Sequence, residues 1–209
     1  KYGLKLVNNF MNKTSGGHDK KTDLIKKIIK KYKIDTKIIY DIGANVGIVS
    51  LYMAKKFTKS QVYSFEPVKS TFDLFENNIK LNNLGNITAY NFGIYKENKD
   101  TKVYIPSNRE IENIGLYSLK LDNNNGINPQ DIKLKRLCDL NLPQPDFVKL
   151  DVEGCEYDII NDNKDIFKNC ALIMTEEFSE VKKDFYNINK SKNIFELLDS
   201  LNFEIIDDG

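Results

Sequence analysis

Apolar positions along this chain follow two alternating rhythms. Short β-branched runs read as strands, and longer stretches with apolar residues three or four apart read as helices. Strands are predicted over residues 37–42, 61–65, 87–95, 146–150, 171–175 and 203–206, with 101–105 as a hairpin extension of the third. Helical spacing covers 46–57, 70–81, a stretch from about Cys155, and 193–201. This rhythm predicts an α/β fold: a Rossmann-like, doubly wound, mostly parallel sheet with helices on both faces.

Two segments break the rhythm. Residues 1–34 hold a Gly-Gly turn and one amphipathic helix, and are expected to form an N-terminal helical cap outside the sheet. Residues 106–130 are rich in Asn, Gly and Ser and read as a variable surface loop, either a substrate lid or a disordered stretch. There is no internal repeat and no second apolar core, so residues 1–209 are expected to form one domain.

Composition narrows the function. The 41% hydrophobic and 29% charged content fits a globular protein with a full core. No apolar run approaches the ~20 residues that span a bilayer. No signal-peptide pattern opens the chain, and a cytoplasmic location is expected. The net charge of +1 supplies no pull toward nucleic acid. The basic residues are nearly all Lys, with Arg only at Arg109 and Arg136, which argues against a surface that reads phosphate. Cys138, Cys155 and Cys170 are too few and too scattered for a disulfide framework or a zinc site.

Candidate chemistry sits where predicted strands end. Asp41-Ile42-Gly43-Ala44-Asn45-Val46-Gly47 spans a strand–helix junction, the place where open α/β sheets bind ligands. The glycines permit close backbone approach, and the helix start offers N–H groups to an anion. A dinucleotide site would read G-x-G-x-x-G without an acid at the strand end. Asp41 would repel a diphosphate but suits a ligand with an ammonium or sulfonium group. The alternative is a plain turn with Asp41 as a cap. Glu66, in Phe65-Glu66-Pro67, ends the next strand at the distance from which an acid reaches ribose hydroxyls, unless it only favours a helix start. Asn91 ends the third strand, where it could bond an adenine edge or merely form a turn. In Lys149-Leu150-Asp151-Val152-Glu153, three charged side chains fall on one side if the strand persists that far. They could serve the reaction, or Lys149 could simply pair with an acid to relieve burial.

Taken in order, Asp41–Gly47, Phe65–Pro67 and the run from Val148 to Glu156 resemble the FkbM family of methyltransferases. Leu137-Cys138-Asp139-Leu140 resembles a further family segment, with Cys138 in place of its usual acid. The resemblance covers residues 38–177. It implies S-adenosylmethionine as cofactor, a Rossmann-like sheet, and O-methylation of a hydroxyl on a sugar, glycan or small natural product. It also implies a sheet that ends in a strand hairpin, of which 203–206 supplies one strand; an edge left open could pair two copies, so a monomer or a homodimer is expected. Carried over, Asp41, Gly43, Asn45, Gly47 and Glu66 would contact cofactor; Val46 and Pro67 lie within the same motifs, and Asn91 is the candidate read from its strand end. Asp151 and Glu153 would lie at the active centre with Lys149 beside them.

Removing a proton from a hydroxyl acceptor calls for a general base or a metal. Asp151 or Glu153 is the expected base. Glu176 and Glu177 with Asp151 could bind Mg²⁺, but adjacent surface acids are the commoner explanation and no metal is favoured. His18, in a Gly-Gly-His-Asp turn, would suit base catalysis but reads rather as an exposed turn residue, and Tyr104 and Tyr117 could stack on a sugar but read rather as loop-edge tyrosines. The competing functions are a non-catalytic module of a glycan-assembly protein and, less favoured, an NAD-dependent oxidoreductase.

Overall fold

The computed structural model describes residues 6–7, 25–31, 33–106, 118–119, 126–175 and 193–205. The strands of these residues are β1 (Leu6–Val7), β2 (Ile38–Ile42), β3 (Gln61–Phe65), β4 (Ile87–Tyr90), β5 (Gly93–Ile94), β6 (Lys99–Pro106), β7 (Gly126–Lys135), β8 (Phe147–Leu150), β9 (Leu172–Met174) and β10 (Glu204–Ile205). The helices are α1 (25–31), α2 (Ile48–Lys56), α3 (Lys69–Leu81), α4 (Glu156–Asp162), α5 (Lys164–Phe167) and α6 (Ile194–Ser200).

Seven strands form the main sheet in the order β10-β1-β9-β8-β2-β3-β4. Every pairing in it is parallel. Side chains alternate between its faces, which sorts the core in two. Ile39, Phe147, Leu172 and Met174 pack with Ile25, Ile28 and Ile29 of α1 and Val49, Met53 and Ala54 of α2. Tyr40, Ile42, Val148, Leu150 and Ile173 pack with Ile159 and Ile160 of α4 and Leu197 and Leu198 of α6. Helices therefore cover both faces, as the strand–helix rhythm predicts.

Three expectations need correction. Residues 87–95 are not one strand: β4 stops at Tyr90, and β5 joins a separate sheet of order β5-β7-β6. The break is held by Asn91, whose amide donates to the carbonyls of Glu66 and Pro67 at 3.0 and 3.1 Å. Second, the segment 106–130 is not loop throughout, because β7 begins at Gly126 and runs antiparallel to β6. Its turn-like Asn128 (φ 51°) and Pro129 fall where the β6–β7 register shifts. A proline without an N–H is tolerated at such a break in the ladder. Third, residues 1–34 do not all lie outside the sheet. β1 is inserted between β9 and β10 and completes that side of it. Ile25, Ile28 and Ile29 of α1 pack against Ile39 and Phe147 of the sheet.

Candidate active site

The carboxyl ends of β2, β3 and β8 meet at one point. The N–H groups of Gly43 and Ala44 both donate to the Phe65 carbonyl at 3.0 Å. The Asp151 N–H donates to Ile42 at 3.1 Å, and the Glu66 N–H to Tyr90 at 3.1 Å. The ends of four adjacent strands, β8, β2, β3 and β4, are thus laced together before any side chain contributes.

The turn after β2 is built on Gly43 (φ 79°), Asn45 (φ 53°) and Gly47 (φ 85°). A β-carbon on Gly43 would overlap the Asp151 carbonyl, and one on Gly47 would enter the Phe75 ring. Packing of the chain against itself therefore demands both glycines, whatever ligand approaches. Gly47 is the N-cap of α2 and contributes no side-chain hydrogen bond there. Val46 donates to Asn45 Oδ1 at 2.8 Å within the turn.

Asp41 is 1% exposed. Its Oδ2 accepts the Ser50 hydroxyl at 2.5 Å, and Ser50 also meets Ser64 at 2.8 Å. Its Oδ1 lies 3.2 Å from Lys149 Nζ. Lys149 in turn reaches Asp151 Oδ2 at 3.5 Å and donates to the Gly43 carbonyl. Burial opposes the charge on Lys149, but Asp41 and Asp151 outweigh it and hold its pKa above the ordinary lysine value. The ion-pair alternative for Lys149 is thus what the structure contains, and it joins the two acid motifs into one cluster.

Glu66 is also buried, and its carboxylate is pinned by backbone donors. Oε2 accepts from Asn45 and Oε1 from Val68, each at 2.9 Å. Burial pushes its pKa up to about 7, against those N–H bonds and the charge of Lys149. Pro67 lies beside Gly93, whose added β-carbon would meet Pro67 and Leu134.

The one-sided alternation expected of Lys149, Asp151 and Glu153 holds for the first two only. β8 ends at Leu150, and Glu153 adopts a left-handed conformation (φ 52°) followed by Gly154 (φ 99°). The chain turns there, so Glu153 leaves the strand pattern and is 7% exposed, while the Asp151 side chain keeps 24%. The Glu153 carbonyl accepts the Ser118 hydroxyl at 2.8 Å. Ser118 pairs with Tyr104 through the backbone, so part of the variable segment rests on this turn.

A profile of the FkbM methyltransferase domain matches residues 41–205, from the acid of the first motif to the last described strand. This chain belongs to the FkbM methyltransferase family. Methyltransferase 1 of Beauveria bassiana (strain ARSEF 2860) is 28% identical over 173 residues, 72% of this chain and 68% of that protein. Methyltransferase sdnD of Sordaria araneosa is 27% identical over 151 residues, 58% of each chain. Among solved structures, Methyltransferase FkbM from Methylobacillus flagellatus KT matches with a TM-score of 0.50 at 16% identity. That match covers 80% of this chain but only 36% of the other. A Staphylococcus aureus protein named for a caffeoyl-CoA O-methyltransferase activity matches at 0.51 and 12% identity, covering 85% and 72%. Likeness at that identity establishes the fold, which is the class I methyltransferase arrangement.

Several candidates lie outside the described residues: His18, Tyr117, Glu176 and Glu177. Among the described residues, no group of three or more acids, histidines or cysteines is placed to hold a metal ion. No described helix is long and apolar enough to cross a membrane. Sequence reasoning missed Ser50, Ser64, Phe75 and Ser118, and gave Glu156, the last residue of the third motif, no role. Its place in that motif, just after a glycine turn, was the visible signal.

Proposed function

We propose that this chain, read as one methyltransferase domain, transfers a methyl group from S-adenosylmethionine to a hydroxyl of a sugar, glycan or small natural product. The observation that carries this reading is the pair of buried acids at neighbouring strand ends, Asp41 locked to Lys149 and Glu66 pinned by two N–H groups. A buried carboxylate fixed by the Asn45 and Val68 N–H groups suits ribose hydroxyls, while the acid at the first strand end, Asp41, opposes a diphosphate there. The residues present therefore fit an adenosyl ligand with a cationic centre better than a dinucleotide.

In this reading Gly43, Asn45, Val46 and Gly47 form the cradle, and Glu66 and Pro67 hold the ribose side. Asn91 Nδ2 is committed to the Glu66 and Pro67 carbonyls, so Asn91 shapes the adenine side chiefly as a tie. Asp41 acts through Lys149 and the Gly43 carbonyl rather than from the surface. When bound, the cofactor supplies a methyl group already activated on sulfur. Asp151, the more exposed acid of the β8 turn, accepts the proton of the acceptor hydroxyl as the oxygen takes the methyl group. Lys149 Nζ, 3.5 Å from Oδ2, holds the Asp151 carboxylate in place for that task, and Glu153 shapes the turn beside it.

Release of S-adenosylhomocysteine, measured with a cell-envelope glycan extract and a panel of hydroxylated small molecules, tests this. Asp151→Asn is expected to lower turnover by about 100-fold or more, the usual range for a lost general base. Turnover of that variant within a few-fold of the parent would remove Asp151 from the role.

A further inference from the structure

Glu156 lies outside the set of residues assigned above, yet it grips the turn that carries Asp151. Its side chain reaches back from the first residue of α4. Oε1 accepts the Val152 N–H at 2.9 Å and Oε2 accepts the Gly154 N–H at 3.0 Å. The Asp151–Val152 peptide is thereby held on both edges. Its N–H is on Glu156, and its carbonyl occupies the space left by the missing β-carbon of Gly43. The Asp151 N–H is fixed separately, on the Ile42 carbonyl. With both flanking peptides pinned, the direction of the Asp151 Cα–Cβ bond is set.

A carboxylate is needed for this, since two donors approach two oxygens. A glutamine offers one acceptor and would turn an NH₂ toward the other N–H. The arrangement is also costly: Glu156 is almost fully buried, and burial pushes its pKa up to about 7 despite the N–H bonds. A helix acid placed only to favour the helix start would sit in solvent, where the same interaction carries no desolvation cost.

We propose that Glu156 is a positioning residue, holding the peptide planes of the 151–154 turn so that Asp151 points at the reacting centre. The proposal rests on the assignment of Asp151 above.

The full chain with S-adenosylmethionine labelled with ¹³C at the methyl group tests it without any acceptor. The bound methyl resonance reports the groups around it. Glu156→Gln and Glu156→Asp are expected to bind the labelled cofactor within about threefold of the parent, because the cradle and Glu66 are untouched. Both are expected to displace the methyl resonance, in company with Asp151→Asn. Asn163→Ala is the control. It removes a buried amide that donates to Ile159 in α4, away from the turn, and should leave the resonance in place. In the parent protein, the Val152 and Gly154 amides should exchange about tenfold or more slowly relative to open turn amides. An unmoved resonance in the Glu156 variants beside a moved one in Asp151→Asn overturns the proposal and leaves the role of Asp151 standing. Fast exchange of both amides in the folded parent overturns it without any variant. If Asp151→Asn leaves the resonance unmoved, the assignment of Asp151 falls, and this proposal with it.

Discussion

Glu66 is the residue whose chemistry is most open to measurement. Its ionised carboxylate is the better acceptor for ribose hydroxyls, and its pKa stands at about 7. Cofactor affinity should therefore rise with pH toward 7 and level off above it. Titration calorimetry across that range should show the rise in the parent and its loss in Glu66→Gln. Glu66→Ala should weaken binding about 10- to 100-fold, the range for hydrogen bonds to a charged group. Gly47 makes a different case, because its missing β-carbon is filled by the Phe75 ring. Gly47→Ala should cost roughly 2 kcal/mol or more, from left-handed strain plus the clash. In a Phe75→Leu background the clash eases, so the two changes should be non-additive in urea unfolding. Additive costs would show that Phe75 is not what Gly47 accommodates. The motif glycines and the acids at the strand ends were legible in the sequence, since residue type and spacing carry them. That Phe75 fills the space at Gly47, or that Asp41 is the acid with which Lys149 pairs, was not. Those contacts join positions far apart in the chain and leave no periodic trace.

At the scale of elements, the parallel sheet followed from alternating apolar runs, and each strand of its centre begins and ends close to its predicted bounds. The second sheet did not follow. Asp131, Lys133 and Lys135 are exposed around buried Ile132 and Leu134, a half-buried strand pattern that was present in the sequence. It was obscured by Asn128-Pro129 upstream, whose turn chemistry serves a register shift rather than a chain end. β1 was illegible for another reason: two residues are too short to show any period, and their pairing with β9 and β10 is decided only in three dimensions. Leu134 links the two sheets by packing where Gly93 and Pro67 meet. Leu134→Ala should cost about 2–5 kcal/mol, read as a lower urea midpoint with unchanged slope. A change under about 0.5 kcal/mol, the scale of ordinary surface substitutions, would mean the second sheet is not packed onto the core there.

Over the whole molecule, buried charge is concentrated where the sheet's carboxyl edge meets α2 and α4. Lys149→Met would strand Asp41, which is buried, and should destabilise the fold by about 3–5 kcal/mol. Adding Asp41→Asn to it should recover part of that loss, and no recovery would deny the pairing. The two raised glutamates give stability a definite pH slope. Between 4.5 and about 7, folded Glu66 and Glu156 keep protons that the unfolded chain has released. Their contribution therefore falls as pH rises through that window and is level above it. Glu66→Gln should flatten the slope in denaturant midpoints. The central claim is that this edge holds S-adenosylmethionine, and calorimetric titration of the full chain with S-adenosylmethionine and with NAD tests it most directly. Saturable binding of S-adenosylmethionine, weakened about 10- to 100-fold by Glu66→Ala and absent for NAD, is the result expected. Binding of NAD with none of S-adenosylmethionine would contradict it.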